Sequence, residues 1–156
     1  MVVSVSLTIL RRPQVTSFVP WLVDRPVPGW AVESLETGVL AKLSTLGGVG
    51  VKTFIIGSPS CPATTQLLED IRPVLDELLK VSHISAIWYS TVASDEVRLK
   101  ALNGVAEYRL AETLDCVLPS PTVWVVAPDG RVVFDQRGYA SGIAETVAAV
   151  AERLRD

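Results

Sequence analysis

The chain has 156 residues, 49% of them apolar and 20% charged, with a net charge of -3. That is the length and composition of one globular domain with its own core, and it excludes a disordered or fibrous chain. The longest run of basic residues is Arg11-Arg12, which reads as solvated surface, so nucleic acid is not an expected partner. No apolar window reaches the length of a membrane span, so a membrane is not expected either.

At the N-terminus, Val3, Val5, Leu7 and Ile9 alternate with Ser4, Ser6 and Thr8. Alternation predicts a strand. A basic leader region and a small-residue cleavage site are both missing, so the segment makes a poor signal peptide and the expected location is the cytoplasm. Pro13, Pro20, Pro26 and Pro28 follow. Residues 1–28 are therefore expected to form an edge strand and an irregular arm, set apart from a domain over 29–156. An unpaired edge strand there is a candidate homo-oligomer contact.

From Trp30 the pattern sharpens. Trp30–Leu35 and Val39–Leu43 flank Glu36-Thr37-Gly38, which predicts a β-hairpin. Gly47-Gly48-Val49-Gly50 reads as a loop. Val51 to Gly57 is almost continuously apolar, as a buried central strand is. Pro62 to Lys80 carries Leu67, Leu68, Ile71, Val74, Leu75 and Leu78 at helical spacing. Pro62 suits the first helical position and Pro73 should kink the helix.

Ile84 to Tyr89 predicts a second buried strand, with His83 just before it as a surface residue. Ser94-Asp95-Glu96 caps a helix to about Leu102, and Val105 to Leu114 reads as another helical piece. Thr122–Val126 and Arg131–Phe134 form a hairpin around Pro128-Asp129-Gly130. Gly142 to Arg155 is a C-terminal helix. Alternating strands and helices ending in a hairpin predict an α/β sandwich with a mixed central sheet flanked by helices, extended at its N-terminus.

Two cysteines, Cys61 and Cys116, are too few for a disulfide scaffold. With His83 the only histidine, neither a metal site nor any other cofactor is expected. The chemistry therefore centres on Ser58-Pro59-Ser60-Cys61-Pro62-Ala63-Thr64, between a buried strand and a helix. Ser120-Pro121-Thr122 leads into a later strand, and an Asp-Gly hairpin follows.

This order of motifs, from about Trp30 to Arg155, resembles the thioredoxin superfamily in its TlpA-like branch. Gly57 to Pro62 is similar to MauD-type accessory proteins of methylamine dehydrogenase maturation. A cysteine at a helix N-terminus meets unpaired N–H groups and the positive end of the helix dipole, which favour the reactive thiolate. The resemblance implies that Cys61 is the nucleophile and that Ser120-Pro121 is a cis peptide that orients an extended substrate.

The departures carry as much information. Thr64 stands where the resemblance implies a second cysteine, so Cys61 has no partner thiol within the motif. Thr64 can instead hydrogen-bond the thiolate. The strand before the motif holds no acid, where the resemblance implies a buried carboxylate. Ser58, Ser60 and Pro62 complete the candidate substrate site, and Cys116, five residues before Pro121, is a candidate resolving thiol.

The resulting expectation is a one-cysteine thiol-disulfide oxidoreductase acting on oxidised sulfur, with a protein or small-molecule thiol or disulfide as partner. The alternatives are a non-redox enzyme or small-molecule binder on a repurposed fold, and a MauD-like maturation factor. Ser58-x-x-Cys61 is also similar to the peroxiredoxin motif. Against peroxidase activity, residue 54 is Phe where that signature has Pro, and Ser120-Pro121 fills the place of its activating Arg.

Overall fold

The computed structural model of the chain describes residues 18–89, 102–114 and 116–155. The strand expected at Val2–Leu10, the pair Arg11-Arg12 and most of the helix expected from Ser94 to Leu102 lie outside these residues. The described elements, in chain order, are β1 (Ala31–Ser34), β2 (Leu40–Lys42), β3 (Lys52–Gly57), α1 (Pro62–Ile71), α2 (Leu75–Val81), β4 (His83–Trp88), β5 (Ala106–Leu110), β6 (Thr122–Val126), β7 (Val132–Arg137) and α3 (Ile143–Arg155). They build a mixed seven-stranded sheet in the order β2-β1-β5-β4-β3-β6-β7. The neighbours β3/β4 and β4/β5 are parallel, and the remaining pairs are antiparallel.

The centre of the sheet follows directly from composition. Every residue of β3 and β6 is buried, so neither strand shows the alternation of a half-wet sheet. On one face, Ile55, Ile84, Val123 and Val125 pack against Leu67, Leu68 and Ile71 of α1, Leu75 and Leu78 of α2, and Ile143 and Val147 of α3. On the other face, Phe54, Ile56, Ile87 and Trp124 pack against Val19, Leu22, Val27, Leu43 and Leu46. Burying one such side chain contributes about 1.5–3 kcal/mol.

Pro73 splits the long helix as its chemistry requires. A proline in a helix interior removes an N–H and clashes with the preceding turn. Arg72–Val74 form a short 3₁₀ turn between α1 and α2.

Two sequence expectations change. Val105–Leu114 is not helical. Its core is β5, which pairs parallel with β4 and antiparallel with β1. Tyr108 and Leu110 pack on the second core cluster, and Glu107 and Arg109 alternate with them, a period of two rather than 3.6. The predicted element order therefore gains a strand between β4 and β6.

The boundary at residue 28 is likewise no gap in packing, because Val19, Leu22 and Val27 lie inside the second core. The arm is pinned by a buried ion pair. Asp135, whose side chain is fully buried, and Arg137 are bonded to each other. Asp135 also accepts the Leu22 N–H at 3.0 Å, while Arg137 donates to the carbonyls of Val19 and Pro20 at 2.9 and 3.0 Å. The guanidinium stacks 4.9 Å from the ring of Trp21. The pair is buried with its hydrogen-bonding capacity largely used, the condition under which such a pair is tolerated.

Candidate functional site

Two loops meet at the carboxyl end of β3. The first runs from Ser58 into α1. Cys61 donates its N–H to the Ser58 carbonyl at 3.1 Å, closing a tight turn. The Ser58 and Ser60 hydroxyls are 3.0 Å apart across it. Pro62 occupies the first helical position, and Cys61, in extended backbone, is the residue before the helix. No side chain caps this end, so the sulfur sits beside first-turn N–H groups that have no partner within the helix.

The second loop leads into β6. The Ser120-Pro121 peptide bond is cis, and Pro121 is buried with its carbonyl held by the Gly138 N–H at 2.7 Å. Ser120 faces the first loop with both its polar groups. Its carbonyl lies 3.7 Å from the Cys61 Sγ. Its hydroxyl accepts the Ser58 N–H at 2.9 Å and lies 2.9 Å from the hydroxyl of the fully buried Thr64.

Gly57 makes this meeting possible. A Cβ on Gly57 would come within 2.9 Å of both the Ser120 and the Thr64 hydroxyl oxygens. The space beside that backbone is taken by the hydroxyl pair.

The local charges favour the thiolate. The Thr64 N–H does most to lower the thiol pKa of Cys61, followed by the Ser120 hydroxyl. Burial opposes them, and the Ala63 N–H and Thr64 hydroxyl add to the lowering. Ser120 Oγ accepts a hydrogen bond from Ser58 and shares one with the Thr64 hydroxyl, in which either oxygen can donate, and both hydroxyls lower the thiol pKa. A hydrogen bond to an ionised acceptor is the stronger kind.

Tyr89 completes the frame. Directly after β4, its N–H donates to the Gly57 carbonyl at 3.0 Å. Its phenol donates to the Leu118 carbonyl at 2.7 Å. Burial raises its pKa, the Ser120 hydroxyl lowers it, and a charge on Cys61 raises it further.

Of the residues singled out in the sequence, Ser58, Cys61, Thr64 and Ser120 meet in one bonded cluster, flanked by Pro62 and Pro121. Ser58 contributes its backbone N–H, because its hydroxyl is turned to Ser60, which is exposed. Cys116 is half-buried against the second core. It lines an open cleft of about 920 Å³ with Tyr89, Leu114, Val117 and Leu118, and Cys61 is not among the described walls of that cleft. Both cysteines are free thiols. His83 is exposed at the first residue of β4, the end of the sheet away from Cys61. Trp124 is fully buried against Trp30 at 5.7 Å, so it is core rather than site. Among the described residues no group of three His, Cys, Asp or Glu side chains could hold a metal ion. Tyr89 and Gly57 were missed; the only signal in the sequence was their place at the ends of adjacent central strands.

A parallel-centred sheet, a cysteine at the N-terminus of the helix after its middle strand and a facing cis-proline loop are now in place. Comparison with solved structures decides the fold. Over 88% of its length the chain superimposes on all of the thioredoxin domain of a thiol-disulfide oxidoreductase from Bacteroides vulgatus, with a TM-score of 0.65 and 15% identity. The chain adopts the thioredoxin-like fold. A thioredoxin-like protein from Porphyromonas gingivalis matches 83% of the chain and 91% of its own, with a TM-score of 0.64 and 15% identity. The peroxidoxin BcpB from Mycobacterium tuberculosis matches 88% of the chain and 100% of its own, with a TM-score of 0.61 and 16% identity. No family model and no curated protein sequence matches the chain. No helix among the described residues is long and apolar enough to cross a membrane.

Proposed function

We propose that the protein is a one-cysteine thiol-disulfide oxidoreductase. The observation that carries this reading is the cluster around Cys61. The sulfur is supplied with first-turn N–H groups and a Ser120 hydroxyl, and Thr64 backs that hydroxyl instead of offering a second thiol.

In the first step the Cys61 thiolate attacks one sulfur of a substrate disulfide. A Cys61–substrate disulfide forms, the substrate S–S bond breaks, and the other half leaves as a thiolate. In the second step an external thiolate, from a small molecule or a protein, attacks the substrate sulfur of that mixed disulfide. It leaves as a new disulfide and Cys61 returns as a thiolate. Thr64 cannot perform the second step from within the motif. Among the structural neighbours, a thiol-disulfide oxidoreductase and a peroxidoxin share this fold. Ser120-Pro121 beside Cys61, in the place where the peroxiredoxin motif implies an activating Arg, favours the disulfide reading over peroxide.

The test uses an aromatic disulfide and mass spectrometry. The Cys116→Ser protein should form one mixed disulfide at Cys61 that persists until an external thiol is added. Cys61→Ser should form none at a comparable rate. In Thr64→Cys on the Cys116→Ser background, the adduct should resolve on its own to an internal disulfide. A Cys61 no more reactive than a free model thiol would refute the proposal.

A further inference from the structure

We infer that Tyr89 is a positioning residue for Cys61, acting through Ser120 to set the acidity of the thiol. The inference deepens the proposed function and rests on its reading of Cys61 as the nucleophile. Tyr89 makes two hydrogen bonds that bracket the site. The Tyr89 N–H holds the Gly57 carbonyl at 3.0 Å, directly before the loop that carries Cys61. The Tyr89 phenol holds the Leu118 carbonyl at 2.7 Å, two residues before Ser120. One residue thus ties, by its main chain, the loop that carries Cys61 and, by its side chain, the loop whose Ser120 touches the sulfur.

The tolerance there is small. Ser120 Oγ is already committed at 2.9 Å to the Ser58 N–H and at 2.9 Å to Thr64, in the space left beside Gly57. A slackened 116–120 segment would lengthen these contacts together. The other described ties on this segment are the Val19 N–H to the Val117 carbonyl, the internal bond from the Thr122 hydroxyl to the Pro119 carbonyl, and the 3.7 Å contact of the Ser120 carbonyl with the Cys61 Sγ. Of these, it is Ser120, the residue to be positioned, that meets the Cys61 loop. The phenol is half-buried and donates to a carbonyl, so replacing it with Phe removes one hydrogen bond and leaves the ring in place.

The experiment is the pH profile of Cys61 alkylation by iodoacetamide in the full chain carrying Cys116→Ser, with and without Tyr89→Phe. The expected result is a rise in the midpoint of about half a unit or more, the scale of one lost hydrogen bond. Well below the midpoint, the alkylation rate should fall about threefold, because it follows the thiolate fraction. The same substitution made on a Ser120→Ala background should leave the midpoint where Ser120→Ala alone puts it, since a residue acting through Ser120 has nothing left to position. An unchanged midpoint in Tyr89→Phe, or an equal rise with Ser120 absent, would overturn the inference. If the parent thiol titrates like a free cysteine but Tyr89→Phe still raises it, the positioning role stands and the nucleophile reading falls. Tyr89→Leu serves as the packing control; a rise in Tyr89→Leu with none in Tyr89→Phe would assign the effect to the ring and overturn the role of the hydrogen bond.

Discussion

The two cysteines occupy contrasting ground. Cys61 sits where α1 begins, among N–H and O–H groups that favour its charged form. Cys116 lies on an irregular segment, half-buried against Trp124's side of the sheet. The difference teaches that the surroundings of a cysteine here come from backbone placement rather than residue type. A helix start supplies donors that need no side chain, while an irregular segment against an apolar core supplies packing. The two regions are nonetheless connected, because Ser120, which serves Cys61, is carried by the segment that holds Cys116.

The largest effect should come from breaking the support under the Cys116 segment. Arg137→Ala leaves the Asp135 carboxylate buried without its partner, a loss that typically costs about 3–5 kcal/mol. It also frees the Val19 and Pro20 carbonyls, and the Val19 N–H holds Val117. Denaturant unfolding should show the destabilisation. Alkylation of Cys116 should accelerate by a larger factor than that of Cys61; equal acceleration would mean that the arm does not secure this segment.

A smaller effect is expected at the Cys61 side. Gly57→Ala forces a Cβ into the hydroxyl pair at 2.9 Å. Overpacking of this kind costs about 1–3 kcal/mol. The Cys61 thiol should also lose its acidity as Ser120 and Thr64 move, while Cys116 keeps its rate.

The smallest effect is a pH dependence of stability. The folded Cys61 thiol ionises below its ordinary value, whereas in the unfolded chain it ionises near about 8.5. Its ionisation therefore adds stability that is fully present above the unfolded value and is lost as pH falls through the folded value. The stability difference between the parent and Cys61→Ser should move in the parent's favour as pH rises across that window.

How much of this was legible in the sequence depends on how local each cause is. β3, β4 and β6 were readable because each carries a short, mostly apolar run, as buried strands do, and the break at Pro73 because proline acts on its own turn. Cys61, Thr64, Ser120 and Pro121 were readable from their order along the chain, relative to strands and helices that could themselves be placed. β5 was not, since Glu107 and Arg109 break up its apolar run along the chain and its pairing comes from β1 and β4. Tyr89 and the Asp135–Arg137 pair were hidden for a related reason. Their partners lie 29 residues away at Leu118 and more than 100 residues away at Leu22 and Val19. No spacing rule links residues that far apart.

The arm also bears on how this molecule meets others of its kind. β7 is the last strand of the sheet, and its outer rim would offer an unsatisfied row of donors and acceptors. The arm crosses that rim. Asp24 donates to the Val132 carbonyl at 2.8 Å, Val132 donates to the Arg25 carbonyl at 2.9 Å, and Asp24 turns the chain there with a φ of 66°. The covering strip carries Pro20, Pro26 and Pro28, three residues with no N–H to give to a further strand. Crowded chains seeking an open template would find this end of the sheet already capped by a poor one.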